Sequence, residues 1–267
     1  MRRPRRLQAV LRAAAEVDAV RQATRRLLRS LDDLTDEQAS APSRLPNWTR
    51  AEVITHLARN ADGLRGMVEA AARGEVGVQY PGGSEQRARD IAAGRGERAA
   101  ALLADVRGAH DRLMAAWQDL PDDAWDRVGR AAVDRTMREF VWARRREVEV
   151  HHVDLDVGYE SSDWPVDFVS SALDEIFGTF ALRATSTRPL LDASYRVVST
   201  DHEKQWRIVL RGDHVTVTND DEPADGEARG WGCDITAWLY GRDPRGGGVV
   251  ASGDLGVLRL PQWFPFG

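Results

Sequence analysis

The apolar residues of this chain change their period near residue 160, and few folds accommodate such a change. Before it, Leu7, Val10, Leu11, Ala14 and Val17, then Leu27, Leu28 and Leu31, recur three or four residues apart, the repeat of a helix with one buried face. After it, Tyr195–Thr200, Gln205–Arg211 and His214–Asn219 alternate residue by residue, as half-buried strands do. One continuous layer cannot satisfy both repeats. A helical unit followed by a smaller mixed one can.

Breakers divide the first half. Pro42 to Pro46 interrupts it, and Thr49-x-x-Glu52 is a capping box that opens a helix. Val53, Leu57, Ala61, Leu64 and Val68 stripe that helix, with His56 on the flank of the stripe; it ends near Gly74 and Gly77. A long helical pattern runs from about residue 84 to 120, with Gly94 and Gly96 as its break, and another from about 138 to 157. Between them, Val128 to Thr136 reads as a short extended excursion. Four long helices with mostly short connections predict an up-down four-helix bundle over residues 1–160. Residues 161–267 then form an α+β domain. Pro165 starts a helix reaching about Arg183, the three strands follow with Gly212-Asp213 as a hairpin turn, and a helix near 234–240 and a strand near 249–252 close it.

Charge and composition remove several functions. Acidic residues outnumber basic ones, 42 to 37, for a formal charge of −5, which argues against nucleic acid or an anionic membrane as partner. Lys204 is the only lysine, and an arginine excess of this kind reads first as coding bias. With one cysteine, Cys233, no intramolecular disulfide is possible, and no apolar run approaches the roughly 20 residues that cross a bilayer. The basic start Met1-Arg2-Arg3-Pro4-Arg5-Arg6 lacks the apolar core of a signal peptide and reads as a solvated tail before a helix. A cytoplasmic protein is expected.

Chemistry concentrates in Arg146-Glu147-Val148-Glu149-Val150-His151-His152-Val153-Asp154. Glu147 and His151 are four apart and share one helix face, with Cβ atoms about 5–6 Å apart, so both can reach one ion. A histidine from another helix would complete a His/Glu/His zinc site with one position open. Most Glu–His pairs at this spacing are ordinary surface pairs. What distinguishes this one is its place beside Phe140, Ala143 and Val150, where an acidic group costs several kcal/mol unless paired or ligating. Glu149 and His152 form a competing pair on the adjacent face, expected to lie off the apolar stripe. Arg144 to Arg146 are expected to point elsewhere. Asp154 either orients a histidine ligand or pairs with an arginine. His110, His202 and His214 sit in surface-like contexts.

Two segments, Leu45-Pro46-Asn47-Trp48-Thr49-Arg50 running on to Val53-Ile54-Thr55-His56-Leu57-Ala58-Arg59-Asn60, and Arg146 through Leu155, resemble the signature of the mycothiol-dependent maleylpyruvate isomerase family. That family belongs to the wider DinB-like group of metal-binding bundles. The likeness extends more loosely to Asp234-Ile235-Thr236-Ala237-Trp238-Leu239-Tyr240-Gly241-Arg242 and Ser252-Gly253-Asp254. The resemblance implies a DinB-like N-terminal bundle and a C-terminal α/β domain. It implies zinc, or another divalent metal, on His56, Glu147 and His151, with mycothiol as cofactor and Asp154 beside it. By the same likeness Arg242 acts as a catalytic residue meeting substrate or thiol. The partners are then a small substrate and a low-molecular-weight thiol, and the protein is a monomer or weak homodimer.

The implied reaction turns a cis unsaturated keto diacid into its trans isomer. A thiolate adds to the conjugated carbon, the bond rotates in the enolate, and elimination restores the alkene. Ionising a thiol of pKa near 8.5 contributes only about 1–2 kcal/mol near neutrality. Orientation, worth up to roughly 7–11 kcal/mol, and stabilisation of the enolate must supply more. Arg242, with its planar two-pronged donor, suits the latter. Its alternative is an arginine closing a helix end. Two other functions share the same motifs: a mycothiol S-transferase conjugating electrophiles, and a non-catalytic, metal-stabilised interaction module.

Overall fold

Three threonines set the helix starts that matter. Thr35, Thr49 and Thr136 each accept the backbone N–H of the residue three further on, and each receives the side chain of that residue, Gln38, Glu52 or Glu139, on its own N–H. Each box satisfies donors that a helix start otherwise leaves bare. The computed structural model describes residues 3–186, 188–243 and 248–266. The chain divides into two compact units, Met1–Tyr159 and Glu160–Gly267.

The first unit contains α1 (Arg3–Leu31), α2 (Asp36–Ser40), α3 (Arg50–Ala72), α4 (Gly83–Ala92), α5 (Ala99–Gln118) and α6 (Met137–Asp154). Two-residue strands β1 (Val128–Gly129) and β2 (Arg135–Thr136) pair before α6. The helix begins at Arg3, so the stretch expected as a tail is helical from there; Met1 and Arg2, and the side chains of Leu7, Val10 and Leu11, lie outside what is described. The long pattern between residues 84 and 120 is two helices joined by a 3-10 turn at Ala93–Gly96. Helix α3 packs on α5 and α6, while α1 packs on α6 and α5. Val20, Leu27 and Leu31 meet Leu57, Leu64, Val106, Leu113, Trp117 and Val141 in one buried cluster. Each such side chain contributes about 1.5–3 kcal/mol by leaving water.

The second unit comprises α7 (Val166–Thr179), β3 (Leu191–Ser199), β4 (Lys204–Gly212), β5 (His214–Thr218), β6 (Gly226–Gly230), α8 (Gly232–Leu239), β7 (Val250–Gly253) and α9 (Leu260–Trp263). The sheet order is β5-β4-β3-β6-β7, antiparallel except where β6 lies parallel to β3. Strand β6 is absent from the sequence reading because Gly226-Glu227-Ala228-Arg229-Gly230 carries no alternating large apolar residues. Phe177 stacks on Trp206 at 4.0 Å, and Phe180 packs on Phe264 at 4.4 Å between ring centroids.

The turn before α5 is held close to α3. A Cβ on Gly94 would lie 1.9 Å from Thr55 Oγ1 and 2.7 Å from Thr55 Cβ. Thr55 is buried in mid-helix and cannot yield that space. Gly94→Ala is expected to cost about 1–3 kcal/mol, the range for forced overpacking, read as a lower Tm in thermal melts.

Candidate metal centre

The end of α6 is fastened to the start of α3 by arginines. Arg50 donates through Nε to the Leu155 carbonyl at 2.6 Å and through Nη2 to that of Asp156 at 3.2 Å. Arg44 pairs with Asp156 at 2.8 Å, and its backbone N–H reaches the Asp154 carbonyl. Deeper in, Arg144 of α6, fully buried, donates to the Leu57 carbonyl at 2.9 Å and to Asn60 Oδ1 at 2.8 Å on α3. These ties set the register between the two helices. Placing Arg144 away from the apolar face is therefore a correction: its guanidinium is buried and Nη1 bonds both acceptors on α3.

That register brings His56, Glu147 and His151 together. His56 Nε2 lies 2.9 Å from Glu147 Oε2 and 3.2 Å from His151 Nε2, and His151 Nε2 is 3.5 Å from Glu147 Oε2. Among the described residues these three form the one group of His, Cys, Asp or Glu side chains whose donor atoms, all within 4.8 Å of one another, could hold a metal ion. The His56 side chain is 4% exposed, His151 15% and Glu147 26%, so the triad faces water from Glu147's side. Trp48 covers His56 edge-on at 5.8 Å. Asp154, fully buried, holds His151 Nδ1 at 2.8 Å. With that nitrogen donating its proton, Nε2 presents a lone pair to the centre, the orientation metal-binding histidines take.

Electrostatics agree with a ligand set. Burial works to raise the Glu147 pKa, but hydrogen bonds from His151 and His56 hold it well below the ordinary carboxylate value. Burial lowers His56 to about 4 against the pull of Glu147. Burial also works to lower His151, yet the bonds to Asp154 and Glu147 raise it overall. An anionic carboxylate between two imidazoles is the donor chemistry zinc takes. One contact fits less simply. Arg87 Nη2 lies 3.1 Å from His56 Nδ1, and a guanidinium only donates, so this pattern puts the His56 proton on Nε2. A metal at Nε2 needs that proton on Nδ1, and Arg87 must then turn away.

Glu149 and His152 lie elsewhere than expected. Glu149 is fully buried and faces α1, where Arg26 and the Tyr159 hydroxyl, at 2.7 Å, donate to it. His152 stacks on Tyr159 at 3.8 Å and bonds Ser30 Oγ at 2.9 Å. The expectation that this pair leaves the apolar face is corrected: both carboxylates point inward, and they differ in what they meet. His110 is also buried, contrary to its surface-like sequence context, and His202 is half-buried.

In the second unit, Arg242 follows α8. Gly241, at φ +73°, lets the Arg242 N–H return to the Ala237 carbonyl and its own N–H to Trp238, a Schellman closure. The Arg242 side chain bonds the Tyr240 carbonyl at 2.5 Å. The Cys233 thiol is raised to about 11 by burial and the charges of Asp234 and Asp201, so it is a poor source of thiolate.

The buried cluster around Glu149 yields a direct test. Tyr159→Phe removes one donor from a carboxylate inside the fold, an expected loss of about 1–3 kcal/mol. Denaturant titration measures it.

Comparison with known proteins follows the same outline. The profile of the mycothiol maleylpyruvate isomerase N-terminal domain matches residues 20–156. The crystal structure of the mycothiol-dependent maleylpyruvate isomerase is similar at 24% identity and TM-score 0.76, over 91% of this chain and 94% of that one. A histidine-to-alanine mutant of that enzyme gives 23% and 0.75 over the same shares. No curated protein matches by sequence. With its site-bearing helices inside the matched region, the chain belongs to the mycothiol-dependent maleylpyruvate isomerase family.

Proposed function

We propose that this protein is a zinc- and mycothiol-dependent isomerase of maleylpyruvate-like cis unsaturated keto diacids. The observation that carries the reading is the convergence of His56, Glu147 and His151, in a family member, with Asp154 fixing the His151 lone pair. The helical unit is then an up-down four-helix bundle of the DinB-like kind over residues 1–160, and 161–267 supply the α/β domain. Zinc on this triad supplies an ionised thiol. The chain's own residues do the rest. Glu147, already anionic, and the two imidazoles hold the ion, and Trp48 shields His56. Arg87, once it leaves His56 Nδ1, is free to grip a substrate carboxylate beside the metal. Arg242 brings a second guanidinium to the carboxylate or to the enolate oxygen where charge builds. Cys233 takes no part.

The ligand set is tested by elemental analysis. Wild type should hold about one zinc per chain, removable by chelator. His151→Ala should hold none. His152→Ala should keep its zinc and lose stability, since it packs on Tyr159 away from the triad. Zinc retained in the first variant and lost in the second would move the site to the other helix face.

The reaction is tested by product analysis with maleylpyruvate and mycothiol. Trans product without net thiol consumption supports the isomerase, and a stable thioether supports an S-transferase. Arg87→Ala and Arg242→Ala should each lower kcat/KM by the equivalent of about 2–4 kcal/mol with zinc content unchanged, and lysine at either position should not restore it. Values within about threefold of wild type would leave Arg242 as the helix cap it also forms.

A further inference from the structure

Helix α1 packs on α5 less extensively than on α6, and between α1 and α5 lies a cleft of about 920 Å³. Its α1 wall carries Arg21, Arg25 and Arg29, four apart and therefore in one row. Like charges at that spacing repel by about 0.2–0.5 kcal/mol per pair, so the row does not serve helix stability. Arg107 of α5 adds a further positive charge from the opposite wall. Asp32 pairs with Arg107 at 3.3 Å, and Asp18 takes Arg21. Arg25 and Arg29 are exposed and meet no carboxylate among the described residues. The lining as a whole sets Arg21, Arg25, Arg26, Arg29 and Arg107 against Asp32 and Asp111, and in a chain of formal charge −5 this is a local reversal of sign.

A second observation comes from the lining. His110 contributes to the cleft yet is only 4% exposed, and its Nδ1 has no hydrogen-bond partner. Burial, with the charges of Arg144, Arg21 and Arg25, lowers its pKa to about 3. It therefore stands neutral among guanidinium groups, able to donate to an oxyanion or accept from its hydroxyl. The volume matches pockets that hold a single small molecule, roughly 300–1,000 Å³.

We propose that this cleft is a second binding site, separate from the metal centre, for a small organic anion bearing two or more negative charges. Arg25 and Arg29 grip its phosphate or carboxylate groups and His110 meets it from the floor. An occupant bridging the walls ties α1, which packs on the helix of Glu147 and His151, to α5, which packs on the helix of His56.

Calorimetric titration of the full chain with pyrophosphate and, separately, citrate at about 50 mM ionic strength tests this, since exposed charges are little screened there. Saturable one-to-one binding of either is expected, and the tighter of the two identifies the phosphate or carboxylate class. The Arg25→Gln/Arg29→Gln double variant should bind at least about tenfold more weakly, the loss of one charge-assisted hydrogen bond or more. Its Tm without ligand should be no lower than wild type, because two repelling surface charges are gone. Arg229→Gln, an exposed arginine of the second unit, should bind as wild type does. Absence of saturation with both anions, equal binding by the double variant, or equal weakening in Arg229→Gln overturns the proposal. Zinc content and isomerase turnover, measured on the same samples, report on the metal reading independently.

Discussion

Arg50 occupies the first position of α3 and sets its guanidinium on the carbonyls of Leu155 and Asp156, where α6 ends. Those carbonyls are left without helical partners and carry the negative end of the α6 dipole. A charged donor on such acceptors is worth about 1.5–3 kcal/mol per bond, and it is also directional. His56 lies under two turns into α3, and His151 lies in the last turn of α6. A slip of one turn would move one past the other by about 5.4 Å, more than the 3.2 Å that now separates their Nε2 atoms. The Asn47-Trp48-Thr49-Arg50 segment thus acts as a unit. Thr49 starts the helix, Trp48 covers the histidine, and Arg50 sets the register.

Two glutamates two residues apart on α6 show how environment, more than position, separates a candidate ligand from scaffold. Glu147 and Glu149 both meet hydrogen-bond donors inside the fold. Glu149 receives Arg26 and the Tyr159 hydroxyl and is fully buried, so its lone pairs are committed. Glu147 receives imidazoles and remains 26% exposed, so it keeps capacity for an ion and a path to solvent. A carboxylate saturated by protein donors holds a fold together; one facing titratable nitrogens can exchange a proton for a metal.

The periodicity made the long helices and three of the strands legible, because burial of one face imposes the repeat directly. Strand β6 was not, since its place in the sheet depends on close backbone approach: a Cβ on Gly226 would lie 2.1 Å from the Asp254 carbonyl oxygen. At the site, the spacing of Glu147 and His151 is legible, but the apolar face does not separate them from Glu149 and His152, which are buried as well. The partners that occupy Glu149 include Arg26, 123 residues away, and no local pattern announces such a contact. Arg144 and His110 were misplaced for the same reason. Polar residues read as exposed until the fold supplies their partners.

Arg144 carries this dependence furthest. A fully buried guanidinium costs several kcal/mol to desolvate, and here two neutral acceptors on α3 take one end while Nε and Nη2 have no partner. Burial lowers its pKa only to about 10, with the Glu147 charge the largest opposing influence, so it stays cationic at neutral pH. The attraction is mutual: the cation that ties α6 to α3 also favours the anionic form of Glu147. Neutralising Glu147 would remove the largest charge that balances the buried Arg144 and leave chiefly Asp62 to do so, so that one change would weaken both the candidate ion site and the packing of α3 on α6. At this position the centre and the fold are one electrostatic unit, whereas His151, held from behind by Asp154 near the helix end, can be altered with less consequence for the core.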